Sequence, residues 1–154
     1  MAIKHTSCVY LFCEDTVLLM YRNIKKNDEN HGKWIGIGGK QKEHESIRQC
    51  AVREVKEETG YTTENLYENG TVHFCVEKEE TECITVFTAE VSFFDLMNCN
   101  EGTLQWIPAD KVLSLPLWQG DALFLNDILT DRKAQFNYTL HYSKQGNLLD
   151  WSKD

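Results

Sequence analysis

From Ser46 to Thr59 the chain runs through good helix formers with no Pro or Gly, and Gly60 stands where a left-handed C-terminal cap belongs. This predicts a helix whose charge pattern limits what can surround it. At about 100° per residue, Glu54, Glu57 and Glu58 share one face at i, i+3 and i+4, while Val52 and Val55 turn toward a side that can pack on a sheet. Like charges at that spacing destabilise a helix by roughly 0.2–0.5 kcal/mol per pair, and acids in the last turn oppose the helix dipole. A hard divalent cation, Mg²⁺ or Mn²⁺, bound by carboxylate oxygens and sharing its other positions with water and phosphate oxygens, reverses that balance. The helix is therefore expected to form one wall of a metal site.

The rest of the chain bounds the reading. At 154 residues it has the size of one domain, expected to span 1–154. Hydrophobic residues at 42% and charged residues at 26% are ordinary for a soluble globular protein. The N-terminus has no signal-peptide core and no run suits a membrane helix, so a cytoplasmic location without membrane contact is expected. The six cysteines show no C-x-x-C pair or zinc-like spacing and are expected to be reduced and mostly buried. A net charge of −8 disfavours binding to duplex nucleic acid, which rests on neutralising phosphates, and points to a small-molecule nucleotide once bound cations supply local positive charge.

Alternation and apolar runs place strands over Ile3–Cys13 and Val17–Arg22, joined by a tight Glu14-Asp15 turn. Asn23–Lys33 reads as a surface loop, and Trp34–Lys40 as a glycine-rich segment suited to close backbone approach. Strands follow over Leu66–Glu77 and Thr81–Ser92, with Lys78–Glu80 as the polar connection. Asn98–Gly102 is a predicted turn, Thr103–Ile107 a short strand, and Pro108 the first position of a short helix through Leu113. Asp121–Thr130 is predicted as a second helix that buries Leu123, Phe124, Ile128 and Leu129, and the tail as a hairpin over Ala134–Tyr142 and Leu148–Trp151. Strands interleaved with two main helices give an α/β class, an α/β/α sandwich around a mixed sheet.

The segment Gly39–Tyr61 fits G-x5-E-x7-R-E-U-x-E-E-x-G-U, with Gly39, Glu45, Arg53, Glu54, Glu57, Glu58 and Gly60 in place and Tyr61 where the pattern usually has an aliphatic residue. Such a match arises by chance at roughly one in 10⁸ per register. It is the signature of the Nudix hydrolases, which the chain resembles. Gly32–Lys40, Asn100–Trp106 and Pro116–Asp121 extend the resemblance to MutT-type 8-oxo-dGTP diphosphatases.

The resemblance implies hydrolysis of nucleoside triphosphates to monophosphate and pyrophosphate with Mg²⁺ as cofactor. It implies metal binding by Gly39, Glu54, Glu57, Glu58 and the later Glu101, with Glu58 contributing to water activation. Arg53 is then an orienting partner of the glutamates, and Glu45 is structural. Arg22, Lys33 and Lys40, with Gly38 and Gly39, are candidates for triphosphate contact. Trp118 and Asp121 resemble an aromatic and acidic pair that reads the base. Oxidation of guanine at C8 turns N7 into an N–H donor, which a carboxylate accepts. Ile35 departs from relatives that carry Asn beside the loop tryptophan. Removal of pyrophosphate from RNA 5′ ends and a non-catalytic nucleotide sensor are the alternatives, and either a monomer or a homodimer is compatible with the sequence.

Overall fold

The computed structural model describes residues 2–96 and 99–154. Its first strand, β1 (Lys4–Cys13), organises the rest. One edge pairs in parallel with β6 (Glu79–Glu90) from Lys4 to Phe12. The other edge is divided: β4 (Ile37–Lys40) takes Thr6–Val9, and β2 (Thr16–Tyr21) takes Phe12 and Cys13. Beyond β2 lie β3 (Trp34–Ile35) and β7 (Thr103–Pro108). Beyond β6 the order continues through β5 (Tyr67–Val76), β8 (Phe136–Tyr142) and β9 (Leu148–Lys153). Among the described residues the strands form one nine-stranded mixed sheet, parallel at β1–β6 and β5–β8.

Two helices cover opposite faces of this sheet, as the sequence predicts. Helix α1 (Ile47–Thr59) buries Ala51 and Val55 against Val9, Leu11, Ile37 and Phe87. Helix α2 (Asp121–Thr130) buries Phe124, Leu125 and Ile128 against Tyr10, Phe12 and Tyr142. Odd residues of β1 therefore serve the α1 side and even residues the α2 side, which is the two-residue period of a strand. No described helix is long and apolar enough to cross a membrane.

Local chemistry sets the boundaries of α1. Ser46 caps its start by accepting from the Gln49 amide at 3.0 Å, while the Gln49 side chain accepts from the Ser46 amide at 2.8 Å. Gly60 ends it in the left-handed region at φ 79°, donating to the Lys56 carbonyl. Tyr61 then stacks on Phe94 with ring centroids 4.6 Å apart, which explains an aromatic at a position where an aliphatic is usual.

Several boundaries differ from expectation. Glu79 and Glu80 already belong to β6, so the β5–β6 turn is the pair Glu77-Lys78, both at positive φ (49° and 73°). A two-residue turn of that hand matches the strand twist, even without glycine. Strand β6 ends at Glu90, short of Ser92. Trp34–Lys40 forms β3 and β4, its backbone donors and acceptors being satisfied by β2 and β1. Pro108 closes β7 and precedes a 3₁₀ helix, Ala109–Ser114. In α2 the fully buried set includes Leu125, while Leu123 and Leu129 pack only partly. Asn98, the first residue of the expected turn, lies outside the described residues, and the chain bends at Asn100–Gly102. The six cysteines are free; Cys13, Cys50 and Cys75 are buried, and Cys8, Cys83 and Cys99 are half-buried.

Candidate active site

The divided edge of β1 brings β4 beneath the C-terminal half of α1. Gly38 and Gly39 pair with Cys8 and Ser7, and the Gly38 amide donates to Glu58 Oε2 at 3.1 Å. Both glycines are required by contact. A Cβ on Gly38 would collide with the Ser7 carbonyl, and one on Gly39 would sit 2.5 Å from Glu54 Oε1. Gly38→Ala should therefore destabilise the fold by about 2–4 kcal/mol, read as a lowered thermal midpoint. Gly39→Ala should mainly displace Glu54, with kcat falling about 10²-fold at nearly unchanged stability. An unaltered rate in Gly39→Ala would remove that contact from the catalytic geometry.

Glu58 is 7% exposed and faces Glu101, which arrives on the segment before β7. Burial, then Glu101 and Glu54, push its pKa up to about 10. Burial also raises Glu54, opposed by Arg53 and reinforced by Glu57 and Glu101. Glu54, Glu58 and Glu101 thus form a mutually repelling oxygen cluster that either keeps a proton or takes a cation. Its hard oxygen donors fit a divalent ion of the Mg²⁺ type. Glu57, half exposed, lies at the rim, where Arg53 Nη1 donates to it at 3.2 Å.

Arg53 is the organiser. Its Nε donates to Glu45 Oε1 at 2.6 Å, Nη1 to Glu54 at 2.9 Å, and Nη2 to Glu45 Oε2 at 3.1 Å and to the Lys40 carbonyl at 3.2 Å. Glu45 also accepts from the Lys42 amide, and the Arg53 guanidinium holds its pKa down at about 2. Glu45 precedes the cap residue Ser46, and its main partner is Arg53 rather than the helix terminus.

From the glutamates a cleft of ≈ 290 Å³ runs to the α2 side of the sheet, lined by Gly38, Gly39, Arg22 and Glu101 at one end and Trp118 and Asp121 at the other. Arg22 is engaged by Asp28 at 2.7 Å and Glu101 at 3.6 Å, tying the 23–33 loop to the carboxylates. Lys40 borders the cleft with its side chain exposed. Lys33 lies over the Trp118 ring, 4.9 Å from its centroid, at the far end from Gly39.

Trp118 donates its indole N–H to Asn30 at 2.7 Å and packs edge-on against Phe74 and Tyr142. Asp121 opens α2, and burial pushes its pKa up to about 7, aided by Glu82 and opposed by Lys33. The sequence reading did not single out Asn30, Cys8, Phe74 or Glu82, all of which line the cleft. Cys8 had a signal in the alternation of β1, whereas Asn30 and Phe74 reach the cleft through contacts distant in sequence.

A glutamate helix over a glycine-bearing strand, clamped by one arginine and open to a cleft, is the architecture of a Nudix hydrolase, and the chain belongs to that family: the NUDIX domain model matches residues 3–128. Among its relatives is the oxidized purine nucleoside triphosphate hydrolase of Danio rerio, 31% identical over 111 residues, 71% of each chain. The MutT protein of Bacillus halodurans is similar in structure, with a TM-score of 0.81 and 27% identity over 99% of this chain and 98% of that one. The NUDIX domain of Shewanella oneidensis NrtR, complexed with ADP ribose, is similar at a TM-score of 0.69 and 25% identity, covering 86% of this chain and 89% of that one.

Proposed function

We propose that this enzyme hydrolyses nucleoside triphosphates to the monophosphate and pyrophosphate, with oxidised purines such as 8-oxo-dGTP preferred and Mg²⁺ as cofactor. The observation that carries the reading is Asp121, a half-buried acid facing the same cleft as the Trp118 ring. The Danio rerio relative, an oxidized purine nucleoside triphosphate hydrolase by name, supports it.

In this reading Glu54, Glu57, Glu58, Glu101 and the Gly39 carbonyl hold Mg²⁺, which when bound orients the polyphosphate and offsets charge on the leaving pyrophosphate. Water attacks phosphorus, the bridging P–O bond breaks, and pyrophosphate leaves. The Glu58–Glu101 pair receives the water proton. Arg53 keeps Glu54 and Glu57 aimed at the site. Trp118 presents a flat wall to the base, and Asp121 accepts from the N7–H that only the oxidised base carries.

The test is Mg²⁺-dependent pyrophosphate release, comparing kcat/KM for 8-oxo-dGTP, dGTP, the other common nucleotides and 5′-triphosphorylated RNA. A preference of tenfold or more for 8-oxo-dGTP is expected, about 1.4 kcal/mol of discrimination. Flat rates would reject the substrate, and turnover confined to RNA would replace it. The preference should rise as pH passes upward through about 7, where Asp121 ionises and becomes a pure acceptor, and should be lower and pH-independent in Asp121→Asn. An unchanged ratio in that variant would remove Asp121 from base readout.

A further inference from the structure

On the sheet face opposite the cleft, His73, Glu80 and Cys83 each present one ligand atom, and these three atoms lie within 4.8 Å of one another. Glu82 lines the cleft, so Cys83, the next residue of the strand, faces away from it. His73 stands in register with Cys83 across the β5–β6 ladder, and its Nδ1 is 3.1 Å from Glu80 Oε2. Glu80 reaches this face only because the ladder slips. His73 pairs with Cys83 and Phe74 with Glu82, but Cys75 then pairs with Glu80, leaving Thr81 as an extra residue. Without that bulge the face would receive Thr81 in place of Glu80.

A hydrogen bond explains His73 and Glu80. It gives no part to a half-buried thiol beside them. Imidazole nitrogen, thiolate sulfur and carboxylate oxygen on adjacent strands make a three-ligand set of the kind that binds zinc, whereas Mg²⁺ avoids sulfur. We propose that His73, Glu80 and Cys83 form a second metal site, selective for Zn²⁺ over Mg²⁺, that clamps the β5–β6 hairpin. His5, in register with Cys83 on β1, or water supplies the fourth position. Such an ion binds the folded hairpin and not the unfolded chain, and so raises the thermal midpoint.

Co²⁺ is the probe, because a thiolate-to-cobalt charge-transfer band requires a cysteine ligand, and loss of the band in Cys83→Ser separates this site from the Cys50 thiol, which donates to the Gly39 carbonyl at 3.5 Å beside the carboxylates. Reduced wild-type protein in excess Mg²⁺ should develop the band to one equivalent, and Zn²⁺ should abolish it. Cys83→Ser and His73→Ala should each bind Co²⁺ at least tenfold more weakly and lose the midpoint shift with Zn²⁺, while Mg²⁺-dependent pyrophosphate release is retained. Absence of the band in the wild-type protein, or its persistence at wild-type affinity in either variant, would overturn the site. Because the readout is spectroscopic, it stands or falls separately from the proposed substrate.

Discussion

Glu58→Gln should lower kcat about 10²–10⁴-fold while making the metal-free protein more stable, a combination that only a buried, functionally held carboxylate produces. The folded pKa of about 10 exceeds the ordinary 4.5, so the native state holds an extra proton between those values. The contribution of Glu58 to stability therefore falls as pH rises through that window and is fully present only below 4.5. At pH 8 with a chelator present, a side chain that needs no proton to be neutral should gain roughly 3–5 kcal/mol, and the slope of stability with pH should flatten. Saturating Mg²⁺ should reverse the order of the two proteins, because the ion stabilises the ionised cluster in the wild type. Denaturant unfolding with and without chelator, alongside the rate assay, measures both halves. Wild-type turnover in the variant would sink the assignment, and an unchanged chelated stability would show that Glu58 carries no such strain.

Arg53→Lys is the second large effect. A lysine ammonium keeps the charge but cannot span Glu45, Glu54 and the Lys40 carbonyl at once, as the guanidinium does. Glu54 loses its anchor, so kcat/KM should fall about 10²-fold, with a loss of about 2 kcal/mol from the half-buried network. Glu45 gives this a pH signature. Its folded pKa of about 2 lies below the ordinary 4.5, so its contribution is fully present above 4.5 and disappears as pH falls toward 2. Acid unfolding of the variant should begin at a higher pH than in the wild type. Full activity in Arg53→Lys would show that charge alone, not the fork, positions the glutamates.

The contrast between these residues and the rest shows what a sequence makes legible. Helix α1 could be bounded because its signals are local: an unbroken run of helix formers to Thr59, a left-handed glycine at Gly60, and glutamates fixed by helical period, with Ser46 proving to be the cap rather than the first helical residue. Helix α2 was bounded equally well, yet its buried face included Leu125, because tertiary packing rather than period decides which side chains reach zero exposure. The β5–β6 turn was misplaced because Glu77 and Lys78 adopt a conformation that their side chains do not advertise. At the site, the Arg53 cluster was visible through motif spacing. The Glu58–Glu101 contact and the Asn30–Trp118 bond join segments far apart in sequence, and no local rule pairs them. Arg22 illustrates the same gap: it read as a candidate for triphosphate contact, and the fold engages it with Asp28 and Glu101.

Strand β1 imposes a tolerance rule on the whole protein. Thr6, Cys8 and Tyr10 border the cleft on one face, while Val9 and Leu11 support α1 on the other and Ser7 meets its Cys50. Losing or adding one residue within this strand would exchange the two sets, sending cleft-lining side chains beneath the glutamate helix and aliphatic ones into the cleft. Substitution can thus remodel either compartment independently, but length cannot change there without failure of both at once. Drift in chain length must collect elsewhere, in segments such as 23–33 whose side chains do not alternate between two compartments.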